Sequence, residues 1–133
     1  MSHSSSQLPT PEAQLPLTPA TFHILLALLG HERHGYSIMR EVEAYTQGQL
    51  RLGATTLYRS IKQMLAAQFI AEAEERPDPM LDDERRRYYK LTEYGQHVLQ
   101  AEVKRLAALV ALAQTKGIAL NTDGQQLALG DNL

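Results

Sequence analysis

Thr55, Thr56, Arg59, Lys62 and Gln63 recur at a spacing that puts all five on one side of a helix, at ~100° per residue. These residue types suit the major groove of a duplex. Arginine forks onto guanine O6 and N7, glutamine onto adenine, and threonine meets a phosphate or a thymine methyl. Any surface helix also shows a polar face, so this face alone reads more simply as a solvated one. A second basic element follows as Arg85, Arg86 and Arg87. Three arginines in a row suit phosphates or a minor groove. A strand sends neighbours to opposite faces, so the three do not all point one way. Asp82, Asp83 and Glu84 also stand beside them as competing partners. Two phenols complete the set. Tyr36 falls where a helix starts, and free backbone amides there favour an anion. Tyr58 flanks the apolar stripe of the helix that carries Arg59. Each phenol can donate to a phosphate or lie half-buried against the core.

The elements that must hold these groups are legible from periodicity. Thr18 followed by Pro19 is a helix start, and Phe22, Leu25, Leu26 and Leu29 recur at helical spacing up to Gly30. Ile24 and Leu28 are apolar too, so this helix needs burial on more than one side. A second helix opens near Gly35, carries Ile38, Met39, Val42 and Tyr45 as its stripe, and stops at Gln47-Gly48. A third starts near Ala54 with Leu57, Ile61, Met64 and Leu65 inward. Two strands are expected, Phe69 to Glu74 and Arg85 to Leu91, joined by a loop carrying Pro77 and Pro79. Thr92 with Glu93 opens a last helix. Its Leu99, Val103, Leu106, Val110 and Ala113 step by four, three, four, three, which is a heptad seam. The seam packs either on its own domain or on a second subunit. The second option is favoured because the domain is already complete without it.

The expected fold is mainly α with a small β-hairpin: a winged helix-turn-helix plus a C-terminal dimerisation helix. The chain divides into a tail without structure over 1–16, the winged helix-turn-helix over 17–92, the dimerisation helix over 93–118 and a flexible tail over 119–133. Three helices and a two-stranded wing read DNA in many proteins and serve protein contact in others, so the architecture does not settle function.

Composition removes other classes. The chain has 133 residues, enough for one domain and an extra helix. There are no cysteines, which excludes disulfides, thiolate zinc sites and cysteine nucleophiles and suits a reducing cytoplasm. No apolar run is long enough to span a bilayer, and the N-terminal residues lack the layout of a signal peptide, so no membrane is expected as a partner. A net charge of −2 argues against nucleic acid. The bases nevertheless concentrate at Arg51, Arg59, Lys62 and Arg85–Arg87, so an acidic protein can still present a basic face. Gly-rich phosphate loops, nucleophile elbows and His-Glu-x-x-His runs are absent, so no enzyme activity and no cofactor are expected. His23, His31, His34 and His97 show no strict ligand spacing, and metal sensing stays a minor alternative.

Four segments together resemble the PadR family of bacterial transcriptional regulators: His34-Gly35-Tyr36-Ser37-Ile38, Thr56-Leu57-Tyr58-Arg59, Arg85 to Thr92, and Glu93-Tyr94-Gly95. The resemblance is closest to the short members with a single C-terminal helix. It implies a homodimer held mainly by the last helix, through Leu99, Val103, Leu106, Val110 and Ala113, and assisted by Phe22 and Leu25 of the first. It further implies a DNA-binding regulator, with repression expected from so small a dimer on a pseudo-palindromic site of double-stranded DNA. Tyr36, Thr55, Thr56, Tyr58, Arg59, Lys62, Gln63 and Arg85–Arg87 are the expected DNA contacts. A small aromatic effector wedged beside Ala107, Ala108 and Ala111 is a possible control. The family usually has glycine where this chain has Gln68, and a left-handed cap there would cost about 1 kcal/mol more. The competing class is a winged-helix protein-interaction module that never touches DNA.

Overall fold

Thr18 and Pro19 start the first helix as their chemistry requires. The Thr18 hydroxyl accepts the Thr21 amide at 3.1 Å, and α1 runs Pro19–Leu28. In this computed structural model, residues 7–73 and 87–120 are described. The order continues with β1 (Arg33–His34), α2 (Gly35–Tyr45), α3 (Ala54–Ala66), β2 (Ile70–Glu72), β3 (Tyr88–Leu91) and α4 (Glu93–Thr115). The architecture is mainly helical with one small antiparallel sheet, as expected for a winged helix-turn-helix. The chain forms two compact units, Met1–Glu102 and Val103–Leu133.

In the first unit α1 packs against α2, α3 and β3, which explains its apolar surplus. Ile24, Leu25 and Leu28 from α1 are buried with Ile38 and Val42 of α2 and with Leu57, Ile61 and Met64 of α3. Each such side chain contributes about 1.5–3 kcal/mol on burial. The same observation corrects one expectation. Leu25 is 0 % exposed and has no surface to give a partner, because its own domain already surrounds α1.

The third helix ends in a left-handed turn. Gln68 has φ 66°, the Phe69 amide donates to the Met64 carbonyl at 2.9 Å, and the Gln68 amide donates to that of Leu65 at 3.1 Å. This paired closure satisfies two carbonyls at the helix end. It also takes Phe69 out of the strand, so β2 starts at Ile70 rather than at the expected Phe69. The sheet order is β1-β3-β2, with Arg33 opposite Tyr89, His34 opposite Tyr88 and Glu72 opposite Tyr89. The strand β1 is an addition to the expected hairpin. The expected loop between the hairpin strands, with Asp82, Asp83 and Glu84, and the start of the expected second strand, Arg85 and Arg86, lie outside the described residues.

Thr92 joins the wing to α4. Its hydroxyl accepts the Gly95 amide at 2.9 Å as a helix cap and donates to the carbonyls of Gln68 at 2.6 Å and Phe69 at 3.1 Å. A Cβ on Gly95 would overlap the Phe69 carbonyl, so this close seat requires glycine. The last helix ends at Thr115, ahead of the expected 118, where Gly117 takes φ 111°.

The expected structureless tail does not hold for residues 7–16. Pro11–Gln14 form a 3-10 turn, and Leu15 and Leu17 pack against the core. Tyr94 donates its hydroxyl hydrogen to the Pro9 carbonyl at 2.7 Å and accepts from the Gln14 amide group at 3.0 Å. The Leu17 amide donates to the carboxylate of Glu102, which is 2 % exposed. The physical reason is burial: the two leucines anchor the segment, and the Leu17 amide gives the buried acid a hydrogen-bond partner.

Candidate nucleic-acid interface

Helix α3 has two unlike sides. Leu57, Ile61 and Met64 are buried, while Thr55, Thr56, Arg59, Lys62 and Gln63 are all exposed. Burial of the apolar stripe fixes the rotation of the helix, and that rotation turns the five polar groups outward together. Gly53 caps α3 without a side-chain hydrogen bond.

Tyr58 is half-buried, and a Cβ on Gly35 would overlap its hydroxyl, so the ring lies directly against the start of α2. Its position joins α2 to α3. Tyr36 is 41 % exposed, and the Arg40 guanidinium lies over its ring at 5.6 Å from the centroid. Such stacking orients a cation without neutralising it. With His34, Ser37 and Glu41 they line a shallow cleft of about 440 Å³. Arg40 was not among the expected contacts. Its signal in the sequence is a tyrosine one helical turn earlier, on the same face. Nδ1 of His34 accepts the Ser37 amide at 3.1 Å, capping α2, and the imidazole meets the Tyr88 ring edge-on at 5.2 Å. The α2 start is therefore tied to the wing strand β3.

Not every base is available to a ligand. Arg33 donates to the Ala27 carbonyl at 2.8 Å and the Ser37 hydroxyl at 3.2 Å, and it pairs with Glu41 at 3.6 Å. It fastens the end of α1 to α2. Arg51 pairs with Glu43 at 3.3 Å, and Arg87 pairs with Glu72 at 3.8 Å. Arg87 is exposed, and Arg85 and Arg86 lie outside the described residues.

The region from Arg33 to Thr92 thus combines an outward polar helix, a capped α2 start beside it and a wing tied to both. The PadR-like family model of transcriptional regulators matches residues 24–101, more than half of the chain. The protein belongs to the PadR-like family. Members of this family are transcriptional regulators and not enzymes. Solved structures agree on the fold. A transcriptional regulator from Clostridium thermocellum is similar with a TM-score of 0.59 and 21% identity, covering 76% of this chain and 93% of that one. A PadR family regulator from Clostridium difficile gives 0.59 and 19%, covering 74% and 97%. RosR from H. salinarum gives 0.54 and 21%, covering 90% and 91%. Among curated proteins, none matches the chain. This PadR-like chain is therefore a DNA-binding regulator in fold and family.

The expected dimer residues separate into two groups. Leu99 is 3 % exposed and belongs to the chain's own core, so it leaves the expected seam, as Leu25 leaves the expected contact of the first helix. Phe22 is half-buried against that core. Farther along α4, Val103, Leu106 and Val110 are 46 %, 36 % and 45 % exposed, and Ala113 is half-exposed. Leu109 and Leu112, which the heptad spacing passes over, are exposed as well. Among the described residues no three histidines or acids stand together as a metal site, and no helix is long and apolar enough to cross a membrane.

Proposed function

We propose that this PadR-like protein is a homodimeric cytoplasmic repressor that binds a pseudo-palindromic operator in double-stranded DNA. The observation that carries this reading is the exposure of Thr55, Thr56, Arg59, Lys62 and Gln63 together, opposite a buried stripe. Thr56, Arg59 and Gln63 read base edges. Thr55, Tyr36, Tyr58, Lys62 and the wing arginines Arg85–Arg87 hold phosphates, and Arg40 joins them from its seat over Tyr36. Phosphate contacts set register and carry the salt dependence, while the helix face carries the sequence. Each subunit supplies one reading helix, so the two half-site centres lie about one helical turn, or two, apart. The exposed apolar residues of α4, from Val103 to Ala113, form the subunit contact. An aromatic effector that enters beside Ala107, Ala108 and Ala111 would act on that contact.

The test is footprinting on the protein's own genomic DNA, followed by Arg59→Ala on the best site. The variant is expected to lose roughly 1–3 kcal/mol of binding and to relax the sequence preference at one position. Equal affinity of variant and wild type would place the reading face elsewhere, and a protected region without an inverted repeat would argue against a dimer.

A further inference from the structure

We propose that Glu72 limits the DNA affinity of the wing by holding Arg87 in the free protein. The inference rests on the reading that Arg87 contacts phosphate. It starts from the register: Glu72 stands opposite Tyr89, and Arg87 lies two residues before Tyr89 in the same chain segment. Alternate residues share a face, so the carboxylate and the guanidinium are diagonal neighbours across the hairpin. Pairing continues past β2, where the Ala73 amide donates to the Tyr88 carbonyl at 2.7 Å. The ion pair measures 3.8 Å, and its side chains are 56 % and 48 % exposed.

That combination has a direct consequence. An ion pair so open to water is weak, worth at most a few-fold in an equilibrium. A phosphate can therefore displace Glu72, but it must compete to do so. The carboxylate subtracts the same small amount from every complex in which Arg87 meets phosphate, irrespective of sequence. Sequence-independent binding rests on phosphate contacts alone, so the subtraction is read there without a contribution from the bases. Glu72 thus lowers attraction to bulk DNA and leaves the base-reading residues of α3 untouched.

The experiment is a double-mutant cycle with the full chain and a mixed-sequence duplex about three helical turns long. Wild type, Glu72→Gln, Arg87→Ala and the double variant are compared by fluorescence anisotropy at low salt. Glu72→Gln is expected to bind about two- to five-fold more tightly than wild type. In the Arg87→Ala background the same change should give a clearly smaller gain. Both positions are exposed, so melting temperatures of all four proteins should agree and report intact folding. Equal gains in the two backgrounds would overturn the proposal, because Glu72 would then act on the duplex directly. So would wild-type binding with no gain from Glu72→Gln. Failure of wild type itself to bind any duplex would instead remove the DNA-binding reading, and this proposal with it.

Discussion

Gln68 holds a left-handed backbone with φ 66° while carrying a full side chain. A glycine there closes the same turn without the Cβ conflict, so Gln68→Gly is expected to stabilise the fold by about 1 kcal/mol. A higher urea midpoint at an unchanged slope would show it. Tyr45 gives a second residue-scale expectation. Its hydroxyl donates to the His23 carbonyl at 2.7 Å, and burial, then the charge of Glu41, pushes its pKa up from 10.0 to about 12. The folded state therefore keeps a proton that the unfolded chain releases. That contribution is complete below pH 10.0 and is lost as pH rises toward about 12. Tyr45→Phe should consequently lose less stability than wild type across that window, measured as the change in denaturation midpoint with pH.

At the scale of elements, the seat of α4 on the α3–β2 turn leaves no room for a side chain at position 95. Gly95 lies so close to the Phe69 carbonyl that Gly95→Ala must push α4 away from the turn or break the Thr92 bonds to it. Overpacking of this kind costs about 1–3 kcal/mol. Calorimetry should find a melting temperature lower by about 4–8 °C per kcal/mol for a domain of this size. Gly35 and Gly95 both stand in segments that carry the PadR resemblance, and contacts with Tyr58 and Phe69 now explain them. Much of this level was legible in the sequence. The Thr18 cap, the α3 stripe and the Thr92 helix start follow from local chemistry that no distant contact overrides. The strand β1 was not legible, since two residues carry no alternation. The order of residues 7–16 was hidden because Pro and Gln surround the anchoring Leu15. Periodicity also cannot tell which body buries a stripe, so Leu25 and Leu99 resembled partner contacts while serving their own core. The stacking of Arg40 on Tyr36 needed the realised helix face.

For the whole molecule, the proposed dimer rests on the exposed part of α4. Val103, Leu106, Leu109, Val110 and Leu112 leave a broad apolar surface from position 103 onward. Surfaces of this kind are costly in water and are covered by a partner in stable proteins. Light scattering at micromolar concentration is expected to give the mass of two chains for wild type. Leu106→Glu combined with Val110→Glu is expected to give the mass of one, or to precipitate. A single-chain mass for wild type would remove the dimer from the proposed function. The small sheet bears on association from the opposite direction. Its order β1-β3-β2 places strands of two and three residues at the two edges, with Arg33 in one and Glu72 in the other. Edges that short and charged offer a neighbouring chain little backbone to pair with. The described edges of the sheet therefore resist ribbon-like stacking when many copies crowd together.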